Sequence, residues 1–153
     1  MLVMSSSTLD VIQVDRVGTL GGLLRERTRR TPDNIAYRYF KHDSQSWENI
    51  TWQQTANRVA QIQAALAGDG LQPGDRVAIM LRNCPEWVQF EQAALGLGLV
   101  IVPLYTNDRV DNTAYVLQDA GIKVLLIEGQ EDLDSLSEIS SQIGGLVRIL
   151  TLE

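Results

Sequence analysis

The chain has 153 residues, is 44% hydrophobic and 21% charged, and carries a formal net charge of −6. Such an acidic chain lacks the basic surface that general nucleic-acid binding needs, and it has no pull toward an anionic membrane. Its one cysteine, Cys84, and one histidine, His42, exclude an internal disulfide, fit a reducing cytoplasm, and cannot make a metal site between themselves.

The length predicts one domain with a core that needs no staples. Residues 1–19 are expected to be a loose N-terminal segment, with no basic stretch leading into a long apolar one, so no signal peptide is expected. Leu20, Leu23 and Leu24 open an Arg-rich helix that runs to about Arg30, where Thr31-Pro32-Asp33-Asn34 breaks it. Ile35–Phe40 and Trp47–Thr51 are β-branched and aromatic with a polar stretch between them, the pattern of an antiparallel hairpin. Thr51 with Gln54 three residues on is a capping box, and Trp52, Ala56, Val59, Ile62 and Leu66 form one helical stripe.

The most informative stretch follows. Pro73-Gly74-Asp75 is a turn, and Arg76–Leu81 is apolar enough for a strand covered on both faces. Asn83 and Glu86 have the spacing of a helix N-cap and its partner, with Trp87, Phe90, Ala94 and Leu97 on one face. Gly96 and Gly98 stop that helix, and Leu99–Leu104 is a second buried strand, completing a right-handed βαβ unit. The apolar stretch Ala93–Leu104 is too short to span a bilayer. A helix through Val110, Ala114 and Leu117 ends at Gly121, and Lys123–Ile127 is a third core strand. Leu133, Leu136, Ile139 or Ser140, and Ile143 suggest a further helix ended by Gly144-Gly145, before a strand over Val147–Leu152. This βα rhythm predicts an open, doubly wound parallel sheet of the Rossmann-like kind with flanking helices, preceded by the antiparallel hairpin.

Chemistry is sparse. There is no G-x-x-x-x-G-K-[ST] and no G-x-S-x-G, and Gly96-x-Gly98 precedes a strand where a dinucleotide fingerprint follows one. Cys84 is either a thiol activated at a helix start or a small apolar residue at a strand-to-helix turn, the second being favoured. His42 reads as a solvated turn residue, and Trp47, Trp52 and Trp87 as core packing rather than a ligand pocket. Arg25–Arg30 reads as a solvated helix face rather than a phosphate patch. Asn83 and Tyr105 lie at the carboxyl ends of predicted strands, where open α/β sheets place ligands, although capping and packing compete as their role. No catalytic, cofactor-binding or metal-binding residue is assigned.

Thr31-Pro32-Asp33-Asn34-Ile35-Ala36 resembles the T-P-D-x-x-A entry of the acyl- and aryl-CoA synthetases, the AMP-binding, adenylate-forming superfamily. Ile50–Gln54 resembles that family's L-T-[YW]-x-E-[LF] helix start. Leu71–Trp87, with PGDRVAIML-x-N-x-PEW, is very similar to the long-chain fatty-acid–CoA ligase branch. Leu95–Tyr105 and Ala114–Leu126 resemble two further segments of it, so the likeness runs from about Leu23 onward in register. Gln54 departs from the family's acidic residue but still serves the capping box, and Leu97 replaces a small residue.

The resemblance implies that residues 20–153 are the N-terminal subdomain of an acid–thiol ligase, truncated before its phosphate loop. The parent would use ATP, Mg²⁺ and CoA, forming an acyl-adenylate from a long-chain fatty acid and passing the acyl group to the CoA thiol. Its partners would be the rest of the ligase chain and the fatty acid, with no nucleic acid and no transmembrane segment, and its place the cytoplasm, peripheral to the membrane at most. This stretch would be inactive alone, bind none of these cofactors tightly, and self-associate through an exposed face. The competing reading is a stand-alone α/β binding or interaction module that regulates or caps a full-length ligase.

Overall fold

A computed structural model describes residues 10–152. A short helix α1 (Val14–Val17) leads into α2 (Leu20–Arg30), whose N-cap Thr19 accepts a hydrogen bond from the Gly22 N–H at 3.0 Å. Of the expected loose segment 1–19, residues 1–9 lie outside the description. Within the rest, the Asp10 carboxylate accepts from Arg27 and Arg30, each at 2.7 Å.

Strands β1 (Ile35–Lys41) and β2 (Ser46–Thr51) form the expected antiparallel hairpin as a separate two-stranded sheet. Helix α3 (Trp52–Gly68) begins at the Thr51 capping box: the Gln54 N–H donates to Thr51 Oγ1 at 3.2 Å, and the Thr51 N–H to Gln54 Oε1 at 2.9 Å. Its stripe includes a residue that hydrophobicity alone passes over. Thr55 is fully buried, its hydroxyl donating back to the Thr51 carbonyl at 2.9 Å.

The main sheet contains β3 (Arg76–Met80), β4 (Val100–Pro103), β5 (Ile122–Ile127) and β6 (Arg148–Thr151), all parallel, in the order β4-β3-β5-β6. Helices α4 (Pro85–Gly96), α5 (Val110–Asp119) and α6 (Gln130–Ser137) connect them. Side chains alternate across the sheet, so two cores form. Val77, Ile79, Leu81, Val124 and Leu126 pack with Val59 and Leu66 of α3 and Phe90, Ala93 and Ala94 of α4. Ala78, Met80, Leu125 and Ile127 pack with Ala114 and Leu117 of α5 and Leu136 of α6. This is the predicted open parallel sheet with helices on both faces.

Several local expectations need correction. Strand β4, expected to be buried, lies at the end of the sheet order with Val100 46% exposed and Ile101 and Val102 only partly buried. Cys84, not Asn83, is the N-cap of α4, with φ −149° and ψ 165° and no side-chain cap bond. The cause is Pro85 at the first helical position, whose ring forces the preceding residue into extended geometry. Helix α6 ends at Ser137, well short of Gly144-Gly145. The Ser135 and Ser137 hydroxyls donate to the Glu131 and Asp134 carbonyls, and the chain continues in three-residue turns such as Gln142 N–H to the Ile139 carbonyl at 2.8 Å. Leu136 and Ile139 are nevertheless buried, so the apolar spacing marks their packing correctly.

Candidate functional site at the carboxyl edge of the sheet

The strand order places a switch point beside β3. From β3 the chain crosses by α4 to β4 on one side, then returns by α5 to β5 on the other. In such sheets the connections diverge above the carboxyl ends of the two strands and leave a crevice there. Arg82, just beyond β3, and Glu128, just beyond β5, meet across that crevice. Arg82 Nε donates to Glu128 Oε2 at 3.1 Å, and Nη2 donates to Oε1. The Glu128 N–H is held by Asp132 Oδ2 at 2.9 Å. The Arg82 guanidinium keeps the Glu128 carboxyl below its ordinary range.

A groove of about 850 Å³ lies between this edge and the hairpin. Its charged lining comprises Arg38, Lys41, Arg58 and Arg82 against Asp43, Glu86 and Glu128. Arg38 stacks over the Trp47 ring at 5.3 Å, and Arg58 Nη1 donates to Gln61 Oε1 at 3.2 Å; among the described residues neither guanidinium forms an ion pair with a carboxylate. A second cleft, of about 250 Å³, opens between α3, α4 and β6. Ile62, Leu66, Phe90, Leu126 and Leu150 line it, together with Asp69 and Arg148, which pair at 2.7 Å.

The residues singled out in the sequence are distributed as follows. Cys84 lines the groove, but burial pushes its thiol up, away from the thiolate an activated nucleophile requires. His42 sits on the exposed hairpin turn, edge-on to Phe40 at 5.2 Å. Asn83 also lines the groove, whereas Tyr105 is 84% exposed and lines neither cavity. Trp87 packs on the core and Trp52 tilts against Tyr37 at 5.9 Å, but Trp47 is 59% exposed, contrary to its reading as core. Its place is a β-strand face that carries Arg38 and Phe40 as neighbours but no layer above it.

The arginine helix is also less solvated than expected. Arg27 and Arg30 are about four-fifths covered and pair with Asp10 and, for Arg30, Glu26, whereas Arg25 and Arg29 remain exposed as expected, so the face is solvated in part and keeps net positive charge. Sequence reasoning missed Arg82–Glu128 and the placement of Arg38 and Arg58, because the partners lie 46 residues apart or on different elements. Alternation along β1 could have put Arg38 outward, but nothing local puts it over this edge.

The profile of the AMP-binding enzyme family matches residues 24–151. The long-chain-fatty-acid–CoA ligase FadD15 of Mycobacterium bovis is 28% identical over 133 residues, which is 87% of this chain and 22% of that protein. The long-chain-fatty-acid–CoA ligase of Bacillus subtilis is 32% identical over 111 residues, 71% of this chain and 18% of that protein. The chain thus spans about a fifth of the length of these curated relatives. Among solved structures, a Mycobacterium tuberculosis fatty acyl CoA synthetase superposes with a TM-score of 0.77 at 24% identity, covering 90% of this chain and 27% of that one. A protein from Rhodopseudomonas palustris described as a long-chain-fatty-acid CoA ligase gives 0.76 at 25% identity, over 88% and 33%.

Proposed function

The chain belongs to the AMP-binding enzyme family, and from that premise we propose that it forms the opening α/β unit of an ATP-dependent fatty-acid–CoA ligase. The observation that carries this reading is a family match across nearly the whole chain, while the chain covers only 22% of its relative FadD15. In the proposed parent a long-chain fatty-acid carboxylate attacks the α-phosphate of ATP, pyrophosphate leaves, and the CoA thiol then displaces AMP from the acyl-adenylate. That chemistry needs groups that stabilise charge on phosphate and on the tetrahedral intermediate. Among the described residues no three His, Cys, Asp or Glu side chains are grouped to hold a metal ion, so no step through Mg²⁺ is assigned here.

The role proposed for this piece is architectural. Its sheet and helices give the remainder of the ligase a rigid surface, and alone it performs no turnover. Among the described residues no helix is long and apolar enough to cross a membrane. The proposed setting is the cytoplasm, with at most peripheral membrane contact while fatty acid is collected. Self-association of the isolated chain through an exposed face is part of the same proposal. The test is to assay purified chain for acyl-CoA formation and pyrophosphate release from ATP, CoA and a long-chain fatty acid. No product above background is expected; turnover proportional to chain concentration overturns the architectural role.

A further inference from the structure

We propose that the Asp69–Arg148 pair is a latch that holds β6 as a strap over the cleft between α3 and α4, and that breaking it frees β6 while the rest of the sheet stays closed. Four observations place the latch. Among the described residues, strand β6 lies at the end of the sheet order, is four residues long and pairs with β5. The segment that feeds it, from Glu138 to Val147, contains no helix or strand and is held by buried Ile139 and by the Val147 N–H, which donates to the Lys123 carbonyl at 2.7 Å. Arg148 is the one charged residue of β6, and its Nη2 donates to Asp69 Oδ1 at 2.7 Å across to the C-cap of α3. The Asp69 side chain is 5% exposed, and among the described residues its second oxygen, Oδ2, has no hydrogen-bond partner.

A covered carboxylate with one oxygen unpartnered depends heavily on the cation at the other. Asp69 therefore makes Arg148 costly to remove, and through Arg148 fixes where β6 lies. What β6 covers is apolar: Arg148, Leu150, Thr151 and Leu152 form one wall of the cleft, facing Ile62, Leu66 and Phe90. Local opening of an edge element takes less free energy than global unfolding, and an ion pair at its end sets how much less. The latch rests on the geometry of this chain and is independent of the ligase reading.

The experiment is native-state hydrogen exchange followed residue by residue by NMR, on the chain and on Asp69→Asn and Arg148→Gln. Asp69→Asn keeps the shape and leaves no buried charge behind, so it remains informative where Arg148→Gln fails to fold. Loss of one charge-assisted hydrogen bond corresponds to a roughly tenfold change in a local opening equilibrium. Amides of Ile149 and Thr151, which face β5, are expected to exchange about tenfold faster in Asp69→Asn, with those of Val77–Met80 unchanged. Equal acceleration in β3 and β6 overturns the latch, because the pair then stabilises the domain as a whole. Unchanged β6 rates overturn it as well.

Discussion

Gly121 offers the sharpest test of the packing at the amino edge of the sheet. It ends α5 in left-handed geometry, φ 57°, and a methyl group built on it would lie 2.5 Å from Arg76 Nη2. Arg76 is occupied there: Nε donates to the Ala120 carbonyl at 2.6 Å and Nη2 to the Gly121 carbonyl at 3.1 Å, capping carbonyls that α5 leaves open. Gly121→Ala thus has two separable costs. Left-handed backbone at a residue with a Cβ costs about 1–2 kcal/mol, partly offset by the lower entropy of the unfolded chain, for a net of about 1 kcal/mol. Displacing a half-buried guanidinium from one carbonyl adds about 1–2 kcal/mol. The expected total is about 2–3 kcal/mol. In an Arg76→Ala background only the backbone part remains, so Gly121→Ala there should cost about 1 kcal/mol, leaving a coupling of about 1–2 kcal/mol. Urea unfolding followed by tryptophan fluorescence on the four proteins of the cycle measures it. Costs that add to within about 0.5 kcal/mol would refute the contact between Arg76 and the end of α5 as the source of the effect.

Other outcomes follow from the same structure. Phe90, 2% exposed where α4 meets the sheet, should cost about 3–5 kcal/mol as Phe90→Ala in urea unfolding. Thr51→Ala should cost about 1 kcal/mol through loss of the capping box, with Thr51→Ser recovering most of it. Hydrogen bonds from Arg29 and Arg30 hold the Glu26 carboxyl down to about 2. A carboxyl lowered in the folded state contributes stability above its unfolded value, and that contribution is lost as pH falls from about 4.5 toward 2. Urea midpoints of Glu26→Gln should therefore fall less steeply over that window than those of the parent chain, and identical slopes would count against the pairing. The Cys84 thiol, raised by burial, should react with a thiol reagent at pH 8 more slowly than a cysteine in an unstructured peptide, and catch up in urea.

Most elements are legible in the sequence because each carries its own local instruction. The Thr51–Gln54 capping box, the Pro73-Gly74 turn, and glycines at positions 98 and 121, with φ of 73° and 57°, start or stop elements through short-range sterics and hydrogen bonds. Continuous apolar runs mark β3 and β5 as strands buried on both faces, as Val77, Ile79, Val124 and Leu125 are. Where local signals compete, the outcome is not decided by any one of them. At Asn83-Cys84-Pro85 the proline outweighed asparagine's capping preference, and after Ser137 serine hydroxyls outweighed apolar spacing.

By itself, then, the sequence determined most of the strands and helices, that the sheet is parallel with β3 and β5 covered on both faces, and the family likeness that the profile match bears out. Periodicity records which face of an element is apolar, and the right-handed crossover limits how strands connect, but neither says on which side of β3 the next strand is added. Only the tertiary structure decided the order β4-β3-β5-β6, and with it the switch point where Arg82 meets Glu128. The same holds for Asp10 on Arg27 and Arg30, and for Asp69 on Arg148. These are pairings of charge across long sequence separations, and their partners are chosen by which backbones pack side by side, a property of the assembled sheet and helices rather than of any stretch of chain.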